Sequence, residues 1–233
     1  MRTLLPFLAV PALALAAPAD AASRNFGVSG FDRIRVEGPF KVRLATGVAP
    51  FATARGGSPA ALDSVTIDVQ GRTLVVRSNR SSWSGYPGEN KGPVEISIGT
   101  HDLNSATLNG SGSLAIDKAK GLSFDLSVQG AGSASIGSVA VDQLKVAISG
   151  TASATIAGTA PKVTMIVRGI SALDASGLET KDAVIGAQGS ATVRANVTNS
   201  VKIDTQGPAT IELAGRPACT VKAAGSASIT GCR

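Results

Sequence analysis

The chain has 233 residues, a formal net charge of +6 and only 3% aromatic residues. Its lysines and arginines are scattered singly, with no basic run and no aromatic ladder beside them. This argues against a nucleic-acid partner and leaves only a weak attraction to anionic surfaces. With so few aromatics, any core must be filled by Val, Ile, Leu and Ala, which suits a narrow interior.

Residues 1–22 read as a signal peptide. Arg2 supplies a positive start, Leu4 to Ala17 is an apolar run broken by Pro6 and Pro11, and Ala19-Asp20-Ala21 is a small-residue cleavage site. Cleavage is expected after Ala21 or Ala22. A run of about 14 apolar residues is too short to span a bilayer, so no transmembrane segment is expected after signal removal. No Cys follows the cleavage region, which argues against a lipid anchor. The mature chain, 23–233, is expected to be a single domain.

Residues 24–105 read as irregular coils of one repetitive architecture. Ile34, Val36, Gly38, Val42 and Leu44 alternate about a central glycine. Ile67, Val69 and Gly71 look like the first half of a second such coil. Leu74-Val75-Val76 follows as a strand whose register is open by one residue, and Val94, Ile96 and Ile98 mark another strand. Between them, residues 81–92 form a Gly-, Pro- and Ser-rich loop that holds the only Trp and the only Tyr, Trp83 and Tyr86. Loops often carry binding functions, so these two are candidate ligand contacts; the alternative is that Trp83 covers the side of the fold.

From residue 106 the pattern becomes regular. Seven short phrases centre on Gly110, Gly130, Gly150, Gly169, Gly189, Gly207 and Gly225, at spacings of 20, 20, 19, 20, 18 and 18 residues. A repeat of this length is the mark of a solenoid. Two residues before the glycine stand Leu108, Val128, Ile148, Val167, Ala187, Thr205 and Ala223. Four after it stand Leu114, Ala134, Ala154, Leu173, Val193, Ile211 and Ile229. Apolar residues alternate with polar ones around each glycine, the period of half-buried strands. The glycine supplies a bend, the residue two positions later is always small, and a second turn such as Gly137-Ser138 or Gly215-Arg216-Pro217 closes each coil. The predicted fold is an all-β, single-chain parallel β-helix with about 18–20 residues per coil. An antiparallel sandwich also has short, evenly spaced strands, but gives no reason to repeat the same glycine and small residue seven times.

Three stretches carry a family resemblance. They are Val28-Ser29-Gly30-Phe31-Asp32-Arg33-Ile34-Arg35-Val36, Val65-Thr66-Ile67-Asp68-Val69-Gln70-Gly71 and Leu108-Asn109-Gly110-Ser111-Gly112-Ser113. They resemble the bacterial family of unknown function described as a putative auto-transporter adhesin head, the GIN domain. The resemblance implies a secreted or envelope protein with a β-helix fold, right-handed in members of known fold. It implies no catalytic residues. No barrel segment follows Cys232-Arg233 in this sequence, so adhesion is expected from a soluble or separately tethered protein.

The residues that could carry chemistry are few. Five positions after successive glycines, Asp174, Arg194 and Glu212 should stack on one outer face. Paired carboxylates can cleave a glycosidic bond, but an arginine between them keeps both ionised, whereas a general acid needs a raised pKa. A surface ion-pair ladder is the simpler reading, and Asp125 and Lys145, five before their glycines, read the same way. His101 is the only His, so no metal site is expected, and no serine has a base placed for it. The glycine phrases do not open helices, which excludes a phosphate cradle, and no cofactor is expected. Asn109, Gln129, Ser149, Arg168, Gln188 and Gln206 form a further row. They could hydrogen-bond along the axis or meet a polysaccharide. Cys219 and Cys232 flank the two strands of the last coil, so in an oxidising compartment a disulfide should take the place of its second turn.

The sequence thus points to a non-catalytic, exported β-helix that presents a binding surface, with a polysaccharide or a cell-surface protein as partner. A carbohydrate-active enzyme and a self-associating envelope protein remain the alternatives. The expected location is the periplasm or the cell exterior of a bacterium.

Overall fold

Residues 22–79 and 93–233 are described by the structure, a computed structural model. The chain opens with β1 (Ala22–Phe26), β2 (Arg33–Glu37), β3 (Lys41–Thr46) and β4 (Phe51–Gly56). A single helical turn follows, α1 (Pro59–Asp63), capped by Ser58 with Pro at its start. Then come β5 (Val65–Gln70), β6 (Thr73–Ser78) and β7 (Val94–Thr100).

The regular part runs through β8 (Ser105–Gly110), β9 (Ser113–Gly130), β10 (Ser133–Gly150), β11 (Ser153–Thr159) and β12 (Lys162–Gly169). It continues through β13 (Ala172–Gln188), β14 (Thr192–Gln206), β15 (Thr210–Ala214), β16 (Ala218–Ala224) and β17 (Ser228–Thr230). Every pairing within it is parallel, and the solenoid has about six turns.

The repeat register predicted from sequence holds. Leu108 faces Val128, Val128 faces Ile148, and Ile148 faces Val167; Leu114 faces Ala134 and Ala134 faces Ala154. These side chains are almost wholly buried, and each large aliphatic one contributes about 1.5–3 kcal/mol of burial. The central glycines stack directly, Gly110 on Gly130 on Gly150 on Gly169. At Gly150 φ is +101°, and a Cβ would lie 2.3 Å from the carbonyl oxygen of Gly130. The small residue two positions on is also forced: at Gly112 a Cβ would sit 2.5 Å from the Phe40 carbonyl oxygen.

Each coil has three sides rather than two strands and a turn. In one coil Ala134 and Ile136 point inward, then Val139 and Val141, then Leu144, Val146 and Ile148. Alternation breaks at Gly137-Ser138 and Asp142-Gln143, where two successive residues face outward. The expected second turn is therefore a corner followed by a short third side. We name the side before each central glycine the leading face and the side after it the trailing face.

The stretch 24–105 departs from the expected irregular coils. Val65–Gln70 and Thr73–Ser78 form an antiparallel hairpin, with Gly71 (φ +62°) at its turn. Gly71 is not the bend of a coil. Leu74 lies beside Ile34 and Val76 beside Val36, so β6 belongs to the leading face. β2 is itself sandwiched between β6 and β8, and β3 between β7 and β9. The earliest coil is thus the second layer. β4 runs antiparallel to both β1 and β7, and β1 is the outermost strand of the trailing face at that end.

Candidate functional site

The leading face is one continuous sheet from β6 to β16, through β2, β8 and the second halves of β9 and β10, then β12 and the second halves of β13 and β14. Its outward side chains sit at fixed offsets before the central glycine, so each offset forms a row along the axis. Five before the glycine, the row reads Ser105, Asp125, Lys145, Thr164, Val184, Lys202 and Thr220. Three before it, Ala147, Ile166 and Gly186 give an apolar stretch.

Two grooves open on this face. One, of about 780 Å³, lies toward the first strands and is bordered by Arg33, Arg35, Thr73, Thr107, Leu122 and Asp125. The other, of about 500 Å³, lies over later coils and includes Lys145, Lys162, Thr164, Asp182, Val184 and Lys202 in its walls. Val184 is 48% exposed and Ile166 38%, so two β-branched apolar side chains stand on the outward side of this face.

Charge pairing is uneven over the surface: Arg77 of β6 meets Asp68 at 3.4 Å at one end of the leading face. On the trailing face Lys41 pairs with Glu95 at 2.7 Å and Arg194 Nε with Glu212 Oε2 at 2.8 Å. On the leading face Lys145, Lys162 and Lys202 form no ion pair among the described residues. The nearby Asp182 is occupied otherwise. Ser200 Oγ and Asn199 Nδ2 donate to its Oδ1 at 2.6 and 2.7 Å. These bonds hold its carboxyl below the usual range, aided by the charge of Lys162. Lys145 and Asp125 are register neighbours without an ion pair.

Asp174, Arg194 and Glu212 do stack on consecutive strands of the trailing face. They do not form a continuous ladder. Asp174 turns to Ser176, accepting from its hydroxyl at 2.6 Å and its backbone N–H at 3.1 Å. Those bonds, with a smaller contribution from Arg194, hold the Asp174 carboxyl low and ionised. The Glu212 carboxylate raises the pKa of Arg194. An Asp174 carboxyl held in this way is not prepared to give up a proton at neutral pH.

The amide row stacks in register, but its one side-chain hydrogen bond between row and neighbour is local. Gln129 Nε2 donates to Ser127 Oγ of its own strand at 3.4 Å, and the buried Asn109 Oδ1 has no partner. Trp83 and Tyr86 lie outside the described residues. His101 is exposed at a corner with Lys118 and Lys120 around a cleft of about 160 Å³. Among the described residues no cluster of His, Cys, Asp and Glu could hold a metal ion. Cys219 and Cys232 form a disulfide, with α-carbons 5.7 Å apart.

Residues 30–217 match the family described as a putative auto-transporter adhesin, head GIN domain. The chain belongs to the head GIN domain family. Solved structures share its fold across almost their whole length. A putative adhesin from Bacteroides fragilis NCTC 9343 has a TM-score of 0.77 at 20% identity, covering 91% of this chain and 94% of that one. A putative lipid binding protein from Parabacteroides distasonis ATCC 8503 has a TM-score of 0.67 at 19% identity, covering 90% and 95%. A putative adhesin from Parabacteroides merdae ATCC 43184 has a TM-score of 0.66 at 16% identity, with coverage of 90% and 95%. No curated protein matches the chain. At these identities the structural likenesses establish the fold, and the family match carries the adhesin-like description of this GIN domain.

The outward rows counted from the sequence bring out Lys145 but not Lys162, Val184 or Lys202 as parts of one surface. A signal lies in the offsets: lysines recur five and seven residues before the glycine, Lys145 and Lys202 at the first offset and Lys162 at the second.

Proposed function

We propose that this GIN domain is a non-catalytic, exported adhesin-like module whose leading face is the binding surface, with a polysaccharide or a cell-surface protein as its partner. The observation that supports this most is the leading face itself. It is an extended sheet with two grooves, exposed Val184 and Ile166, and lysines without an ion-pair partner among the described residues. A rigid, repetitive face suits a long ligand, because each coil offers the same backbone geometry at about 4.8 Å steps.

A non-enzymatic role is favoured by the state of the trailing-face carboxylates. Asp174 is held ionised by Ser176, and Glu212 is engaged by Arg194. Export is favoured by the disulfide, which persists in oxidising compartments, and by the family description. Among the described residues no helix is long and apolar enough to cross a membrane.

Two measurements test the reading. N-terminal sequencing of protein recovered from outside the cytoplasm should begin at Ala22 or Ser23. The purified chain, presented to immobilised glycans and bacterial envelopes, should bind without releasing reducing sugar. Sugar release that disappears in Asp174→Asn or Glu212→Gln would replace the binding reading with an enzymatic one.

A further inference from the structure

We infer that the groove walled by Lys145, Lys162 and Lys202 binds an acidic polysaccharide laid along the solenoid axis. This rests on the reading of the leading face as the binding surface and names the ligand class. Arg24, Lys41, Arg72, Arg77 and Arg194 each have a carboxylate partner at 3.4 Å or less. The three groove lysines have none among the described residues, although they share one cavity of about 500 Å³. Asp182, the acid in that cavity, has its Oδ1 committed to Ser200 and Asn199. The groove therefore sets three lysines against the one carboxylate of Asp182 and keeps a net positive charge.

Spacing sets the kind of anion. Lys145 and Lys202 occupy the same row three coils apart, about 14 Å along the axis at the spacing of neighbouring strands. Lys162 stands one coil from Lys145, two residues nearer the corner. A single small anion cannot engage all three without drawing them over the exposed Val184. A chain with a negative charge on successive units meets them in extended conformations. Between the lysines lie Val184, Thr164 and the neighbouring Ile166, apolar and hydroxyl groups that suit the C–H faces and hydroxyls of sugar rings.

Other polyanions fit less well. No aromatic side chain lines this groove to stack a nucleobase. Among the described exposed apolar side chains only Val184 lines this groove, with Ile166 beside it, which offers a bilayer little apolar surface.

The probes are polygalacturonate, neutral dextran, an oligonucleotide of similar length and vesicles containing anionic phospholipid, each titrated with the full chain. Polygalacturonate should bind, weaken with salt, and lose about tenfold or more in affinity in Lys145→Gln/Lys162→Gln/Lys202→Gln. The corner variant Lys118→Gln/Lys120→Gln removes nearly the same charge elsewhere and should change affinity by less than about twofold. Unchanged melting of both variants shows that the fold is kept. Equal loss in the two variants, equal binding of dextran, or tighter binding of the oligonucleotide or vesicles through the same three lysines would overturn the inference. Absence of polygalacturonate binding while the chain still adheres to envelopes would overturn it and leave the adhesin-like reading standing. Absence of adherence to every surface would overturn both.

Discussion

The two ends of this GIN domain are built from the same kinds of strand but relate sequence to space in opposite ways. From β8 onward, each coil lies on the one before it, and every pairing is parallel. Between β1 and β7 the order is scrambled: β2 is held between β6 and β8, and three pairings are antiparallel. The difference follows from what an end requires. An interior coil has a neighbour on both sides to satisfy its backbone, whereas an end coil exposes strand edges that invite further pairing. Here the hairpin β5–β6 and the antiparallel pair β4–β1 cover that end, and α1 packs beside β1, β4 and β5.

The same glycine does different work in the two regions, and substitutions there give the largest expected contrast. Gly150 has φ +101°, outside the left-handed helical region that other residues tolerate, and a Cβ there meets the Gly130 carbonyl oxygen at 2.3 Å. Gly150→Val should cost about 3 kcal/mol or more in denaturant unfolding, because strain and overlap combine. Gly71, at φ +62° with nothing within 4 Å of a Cβ, should accept Asn for less than about 1 kcal/mol. Similar costs at both sites would mean that glycine serves only backbone freedom, and that close stacking adds nothing.

Removing the disulfide comes next and tests how far an effect spreads. Cys219 and Cys232 are 13 residues apart and bind the last coil to itself. In the chain-entropy view such a closure stabilises by about 3 kcal/mol. A solenoid transmits stability mainly between neighbours, so Cys219→Ala/Cys232→Ala should raise amide exchange over 218–230 and leave 133–150 protected. Equal loss of protection in both stretches would show that the coils unfold as one unit.

How much was legible in the sequence follows the same division. The repeat phrase carried its own register: Leu108, Val128 and Ile148 could be aligned by counting from the glycine, and they are neighbours in space. Cys219 and Cys232 were legible because both belong to one coil. The hairpin was misplaced because Gly71 flanked by Val69 and Leu74 fits a coil bend and a hairpin turn equally well by alternation alone. What separates them is where the strands pair, β6 with β5 across the turn and with β2 about 40 residues earlier. α1 was missed although Ser58-Pro59 is a helix-start signal, since five residues show no period. The groove lysines were hard to see because their relation lies across coils, in the absence of a partner, which no single phrase displays.

The contact of Asp32 with Arg72 gives a pH test of the irregular end. Asp32 is buried, and Arg72 donates to its Oδ2 from Nε at 2.9 Å and Nη2 at 2.6 Å, with Asn104 Nδ2 at 3.1 Å. The Arg72 hydrogen bond chiefly lowers its pKa, outweighing the opposing effect of burial. A carboxyl with a depressed folded pKa contributes stability that is present above its unfolded value, about 3.9, and is lost as pH falls through the folded value below it. Wild type should therefore protect amides of β2 and β6 better than Asp32→Asn at about pH 6, and this gap should close as pH falls well below about 3.9. A gap unchanged in acid would show that the Asp32 carboxylate does not hold the hairpin turn to β8.

The smallest expected effect has opposite signs in the two regions, for one and the same substitution. Thr100, at the end of β7, is 1% exposed, and its hydroxyl is placed to donate to the carbonyl of Phe31 or, at 3.3 Å, that of Asp102. Thr205 is 0% exposed and occupies the row that holds Leu108, Val128, Ile148, Val167 and Ala187, but its hydroxyl has no hydrogen-bond partner among the described residues. A buried hydroxyl without a hydrogen bond costs about 1–3 kcal/mol, and valine keeps nearly the same shape without that cost. Thr205→Val should therefore stabilise the chain by about 1 kcal/mol, while Thr100→Val should destabilise it by a similar amount through the lost bond. Denaturant midpoints of the two variants decide the matter. If Thr205→Val lowers the midpoint, its hydroxyl has a partner in solution, such as a buried water, and the interior of the regular coils is less dry than its packing implies.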